Sequence, residues 1–166
     1  NDYGAYIDYL EYFGEHIYDS SQFVMGNFEF SGNSITSYND GLYLDYHEYF
    51  GYEMHDYASF EMGAILLNNN VVNSYDDYGL YNYLEYFGNY MYNSSSFVMG
   101  NIEFCGNTIR SYYEGIYFDY VYEFGYYMYG DASFTMGDIL VNSNVIYSLD
   151  DYGIYADLEE CGYYMY

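Results

Sequence analysis

The dipeptide Met-Gly recurs with its glycine at Gly26, Gly63, Gly100 and Gly137, always 37 residues apart. A second series, Gly14, Gly51, Gly88, Gly125 and Gly162, keeps the same period. A third, Gly4, Gly41, Gly79, Gly115 and Gly153, drifts around it by one residue. Self-similarity of this kind constrains a chain more than local propensity does. One unit cannot bury its apolar face alone, so units must stack on their neighbours. The chain therefore reads as one repeat domain over residues 1–166, with no linker and about four and a half units. Alternate units match best: "SSQFVMGN" at 20–27 with "SSSFVMGN" at 94–101, and "ASFEMG" at 58–63 with "ASFTMG" at 132–137. That pattern points to duplication of a two-unit block.

Turn signals fall twice in each unit. One set is "YDSSQ", "HDYAS", "YNSSS" and "YGDAS"; the other is "SYNDG", "YDDYG", "SYYEG" and "LDDYG". Asp, Asn, Ser and Gly favour turns through side-chain caps and tolerance of positive φ. The segments between are rich in Tyr, Phe, Ile, Val and Met without a helical period, which is strand composition. Within a unit the apolar alternation changes parity twice, as in Phe23, Met25, then Phe28, Phe30, then Asn33, Ile35, with Gly26 and Gly32 at the changes. A parity slip turns the apolar set outward unless a bulge or bend corrects it. Gly26, Gly63, Gly100 and Gly137 are accordingly expected at bends, with positive φ or a bulge.

Stacking places like residues on like. Phe23, Phe60, Phe97 and Phe134 form one expected ladder, Asn33, Asn70, Asn107 and Asn144 another, and Ile35, Val72, Ile109 and Ile146 a third. Stacked aromatics and amides bonded rung to rung are the devices of cross-β assemblies; the competing role for the asparagines is as turn residues. The expected fold is all-β: a repetitive β-arch or β-solenoid stack in two sheets. A right-handed parallel β-helix with three or more faces and an antiparallel meander are the alternatives.

Charge then narrows function. Asp and Glu total 26 against one basic residue, Arg110, for a net charge of -25. Nothing is available to neutralise phosphate, so nucleic acid and anionic membrane surfaces are excluded as partners. Acidity suggests disorder, but disordered chains are poor in aromatics, and this one is 27% aromatic. No apolar run approaches the ~20 residues of a membrane-spanning helix. The absence of Lys leaves trypsin-like proteases a single site, which fits an extracellular protein, as does reading residue 1 as a processed N-terminus.

Catalysis is not expected. His16, His47 and His55 lack the spacing of a metal triad, and no Ser–His or Cys–His arrangement is evident. Acidic pairs such as Glu159 and Glu160 arise by chance at this acidity. No cofactor is expected, apart from Ca²⁺ bridging two acidic rows: Asp8, Asp45 and Asp119, and Glu11, Glu48 and Glu85, the second continued by Glu159. Stacked like charges repel, and Ca²⁺ prefers carboxylate oxygens; a solvated, salt-screened face is the plainer account. Cys105 and Cys161 fall on different rungs and segments, beyond the ~7 Å Cα separation of a bridge. The expectation is a disulfide between chains, with free thiols as the alternative.

Neither end segment carries Pro, Lys or a helix as a cap, so the ends are expected to pair with identical chains. The Tyr-rich, Lys-free, wholly repetitive arch pattern resembles the amyloid-like proteins of the tubular sheaths around some methanogenic archaea. That resemblance implies an extracellular structural coat whose arches join into continuous sheets. It brings no site residues with it. The alternative is a surface adhesin-like β-helix that binds carbohydrate.

Overall fold

The computed structural model describes residues 2–166. It is a β-solenoid: the chain coils about four times, roughly one 37-residue unit per turn, and the strand pairings are parallel throughout. Parallel, in-register pairing rules out the antiparallel meander. The expected two sheets resolve into five ladders around each coil.

The long face stacks Ala5–Ile7 and Leu10–Glu11, then Leu42–Phe50, Leu80–Phe87, Ile116–Tyr122 and Ile154–Glu159. A short methionine face pairs Met91–Tyr92 with Met128–Tyr129 and is continued by single bridges from Ile17 to Met54, Met54 to Met91 and Met128 to Met165. The other three faces are short strands stacked four deep. One holds Gln22–Met25, Ser59–Met62, Ser96–Met99 and Ser133–Met136; the next, Phe28–Glu29, Ile65–Leu66, Ile102–Glu103 and Ile139–Leu140; the last, Ser34–Ser37, Val71–Ser74, Thr108–Ser111 and Val145–Ser148.

The two changes of parity are corrected as expected. Phe97, Met99, Ile102, Phe104, Asn107 and Ile109 all lie buried in one core. The corners that re-aim them differ from expectation. Gly26, Gly63, Gly100 and Gly137 are not in the left-handed region. Gly63, Gly100 and Gly137 are needed because the neighbouring turn passes close, whereas Gly26 faces open space: a Cβ on Gly100 would lie 2.9 Å from the Ala64 nitrogen, and one on Gly63 would run into the Asn27 carboxamide. Left-handed backbone sits instead at the second corner, where Gly32 and Gly106 alternate with Asn69 and Ser143, all at φ between 56° and 71°. Asn is the non-glycine residue that tolerates this region best.

The drifting third glycine series has a structural cause. The Ser74–Gly79 turn is one residue longer than Ser37–Gly41. The strand that follows it is one residue shorter, because Tyr83 alone faces the bulge Asp45–Tyr46. The same exchange recurs where Tyr83 faces Asp119–Tyr120. Tyr46 and Tyr120 take up the extra residue with φ of 48° and 46°. Insertion and deletion cancel, so Phe50 and Phe87 return to register.

Candidate functional site: the ladders and the acidic rows

The expected ladders form. Phe23, Phe60, Phe97 and Phe134 stack with ring centroids 5.1, 5.0 and 5.1 Å apart and interplanar angles of 13° or less. A second phenylalanine column, Phe13–Phe50–Phe87–Phe124, meets the first edge to face through Phe50–Phe60 and Phe87–Phe97. Offset stacking within columns and T-shaped contact between them are the two arrangements the ring quadrupole favours.

The asparagines are a hydrogen-bonded ladder rather than turn residues. The Oδ1 atoms of Asn70, Asn107 and Asn144 each accept twice from the preceding turn. Asn107 Oδ1 takes the Asn70 backbone N–H at 2.9 Å and its side-chain amide at 3.2 Å, and Asn144 Oδ1 does the same for Asn107 at 2.9 and 3.0 Å. The remaining amide hydrogen goes back to the core chain: Asn107 Nδ2 donates to the Leu67 carbonyl at 2.8 Å. Asn70 and Asn107 are fully buried, and this geometry satisfies them completely.

The acidic rows divide. Glu11, Glu48 and Glu85 stand in register on adjacent turns, but Tyr122 fills the next position before Glu159. The aspartate row is broken: Tyr83 lies between Asp45 and Asp119 because of the bulge. Neither row is a plainly solvated face, since Asp45, Glu48 and Glu85 are each only 8% exposed. With so few bases, phenols supply the donors. Tyr83 donates to Glu85 Oε2 at 2.6 Å and Tyr81 to Asp119 Oδ2 at 3.3 Å. Burial, followed by the neighbouring Glu85 and Glu11 charges, pushes the Glu48 carboxyl up to about 7. Burial and then Asp77 push Asp40 up to about 7 as well. The Tyr43, Tyr81 and Tyr83 hydroxyls are raised chiefly by burial and stay protonated donors.

The tyrosines form columns that the sequence reading did not extract. Tyr6, Tyr43, Tyr81, Tyr117 and Tyr155 stack over five turns with centroids 5.2, 4.3, 5.5 and 4.9 Å apart. Their spacings in sequence are unequal, because this column lies between the long turn and the bulge that compensates for it. Tyr12–Tyr49–Tyr86 and Tyr92–Tyr129–Tyr166 are further stacks.

The histidines separate. Glu53 gathers His16 Nδ1 at 2.8 Å, the Tyr18 hydroxyl at 3.0 Å and His55 Nε2 at 3.8 Å. His47 lies apart in the core, in register with Leu10 and Leu84, and burial lowers its pKa to about 4. Among the described residues no group of three or more His, Cys, Asp or Glu is placed to hold a metal ion. Cys105 and Cys161 are not bonded to each other within the chain. Cys105 is half-buried, its Sγ 3.5 Å from the Leu140 carbonyl. Cys161 stands exposed on the slot that phenylalanine fills in the other turns.

No described helix is long and apolar enough to cross a membrane. Comparison with protein-family models, with curated proteins and with solved structures finds no match to this chain.

Proposed function

We propose that this chain is a structural protein that assembles with identical copies into an extracellular sheath or filament. One observation carries the reading: each turn is bound to the next by like residues at like positions, through parallel backbone pairing, stacked phenylalanines and the asparagine ladder. Any turn of the coil therefore offers its neighbours the surface that another copy of the turn requires. The same columns that are buried in the middle of the coil are half-exposed in the first and last described turns, as at Phe23 and Phe134. Contact with a second copy would bury them.

Purified protein is expected to form long polymers with a meridional spacing near ~4.8 Å, the distance between paired strands. A species that stays monomeric at high concentration, across acid and neutral pH and with or without Ca²⁺, overturns the proposal. Ca²⁺ across the glutamate row and a disulfide between chains belong to the same reading. They are tested by polymerisation with and without chelator, and by non-reducing electrophoresis of the polymer.

A second reading rests on the exposed tyrosines Tyr38, Tyr75 and Tyr112, which recur one repeat apart outside the core. Flat exposed aromatics suit sugar rings, as an adhesin-like surface requires. Binding of the unpolymerised protein to a glycan panel, lost in Tyr75→Ala, would favour it over the sheath.

A further inference from the structure

We propose that the column Tyr6–Tyr43–Tyr81–Tyr117–Tyr155 is a site of oxidative modification, where one-electron oxidants couple tyrosines of adjacent turns into dityrosine. Three observations converge on it. The rings are held nearly parallel at contact distance, closest at Tyr43–Tyr81, 4.3 Å and 7°. The column opens to solvent at Tyr6, which is 46% exposed, so an oxidant has a point of entry. A proton acceptor lies within hydrogen-bond reach, since the Tyr81 hydroxyl donates to Asp119 Oδ2. Phenol oxidation needs such an acceptor, because the oxidised phenol loses its proton together with its electron.

The chemistry balances with hydrogen peroxide delivered through a haem peroxidase. Each of two phenols gives up one electron and its hydroxyl proton. The two phenoxyl radicals join through one carbon–carbon bond between ring positions ortho to oxygen. The two ortho hydrogens then move to the oxygens and restore both phenols. The peroxide takes up two electrons and two protons and leaves as two waters. Parallel register places the partner ring one turn away, so the product should link residues about one repeat apart in sequence. Such bonds would run along the coil axis and reinforce the direction otherwise held by stacking and hydrogen bonds alone. The inference does not rest on assembly, because the column lies within a single chain.

The test treats the purified chain with a haem peroxidase and hydrogen peroxide, folded and in concentrated urea, and maps linked peptides by mass spectrometry after pepsin digestion. In the folded chain Tyr43–Tyr81, the closest pair, is expected to dominate, with Tyr81–Tyr117 as the second pair at Tyr81, within species that still migrate as monomer. Tyr81→Phe keeps the ring in the stack and is expected to abolish both pairs while sparing Tyr6–Tyr43. Asp119→Asn is expected to lower the yield of pairs at Tyr81 and leave Tyr6–Tyr43 unchanged. A map that matches the urea sample, linkage found only between chains, pairs at Tyr81 insensitive to Asp119→Asn, or a folded chain that yields no dityrosine overturns the proposal.

Discussion

Phe97 and Phe23 hold the same place in the repeat but not in the molecule. Phe97 is fully buried between Phe60 and Phe134, while Phe23 stacks on Phe60 and stays half-exposed. Asn107 is fully buried and bonded to both Asn70 and Asn144, while Asn33 donates to Asn70 from a half-buried place. A Cβ on Gly100 meets the backbone of the turn beneath, while one on Gly26 meets nothing within 4 Å. Inner and outer turns thus share sequence and differ in neighbours. The stabilisation lies between turns rather than within them, as in other quasi-one-dimensional folds.

The comparison breaks most visibly at the phenylalanine column. Phe97→Ala is expected to cost ~3–5 kcal/mol and Phe23→Ala roughly half that, because the cavity at Phe23 is open to water. Urea denaturation of the two variants measures the gap, and equal losses would show that turn position does not matter. Next comes the amide ladder. Asn107→Ala strands the Leu67 carbonyl and the Asn70 N–H in the core, at ~1–3 kcal/mol for each group left unsatisfied. Asn33→Ala should cost clearly less in the same assay.

Gly100→Val is expected to destabilise by about 1–3 kcal/mol through overpacking against the Ala64 backbone. Gly26→Val should stay within about 0.5 kcal/mol, as surface changes do. Thermal melts of the pair test whether close approach, rather than the residue's own backbone conformation, makes glycine necessary. The reverse experiment repairs mismatched slots. Asn82 is fully buried with neither side-chain polar atom partnered, in register with Leu44 and Phe118. His47 leaves Nε2 unpartnered between Leu10 and Leu84. Asn82→Leu and His47→Leu are each expected to stabilise by ~1–2 kcal/mol, by removing the desolvation cost of unpaired polar groups. A loss of stability in both would mean that these slots are shaped for the polar side chains.

A further effect is expected on pH dependence. Asp40 and Glu48 bind protons more tightly folded than unfolded, so stability should rise as pH falls from about 7 toward the ordinary carboxylate range. His47 acts in the opposite sense, since its folded pKa of about 4 lies below the unfolded value and stability is lost as pH falls between them. More acids than this one histidine are shifted, Asp45, Asp119 and Glu114 also being raised by burial. The net expectation is a higher melting temperature near pH 5 than near pH 8. Glu48→Gln should flatten the slope, and His47→Leu should steepen it. A melting temperature that falls steadily on acidification would contradict the buried-acid account.

The sequence alone determined the period, the strand character, the two changes of parity and the columns of Phe, Asn and Ile. Each follows from local composition and a fixed repeat, since a side chain's face depends on its count along the strand. It also located the glycines that the fold requires, though not the reason for those at Gly63 and Gly100, because close approach of another turn leaves no mark in local sequence. Only the tertiary structure decided that the coil has five faces, that the aspartate row is interrupted, that Glu48 and Glu85 are buried, and that the tyrosines align. The broken aspartate row and the column through Tyr6, Tyr43, Tyr81, Tyr117 and Tyr155 depend on a longer turn and a lost bulge residue cancelling across neighbouring turns. Pairing between turns sums every insertion and deletion along the coil, whereas counting at a fixed period of 37 registers each one only as drift.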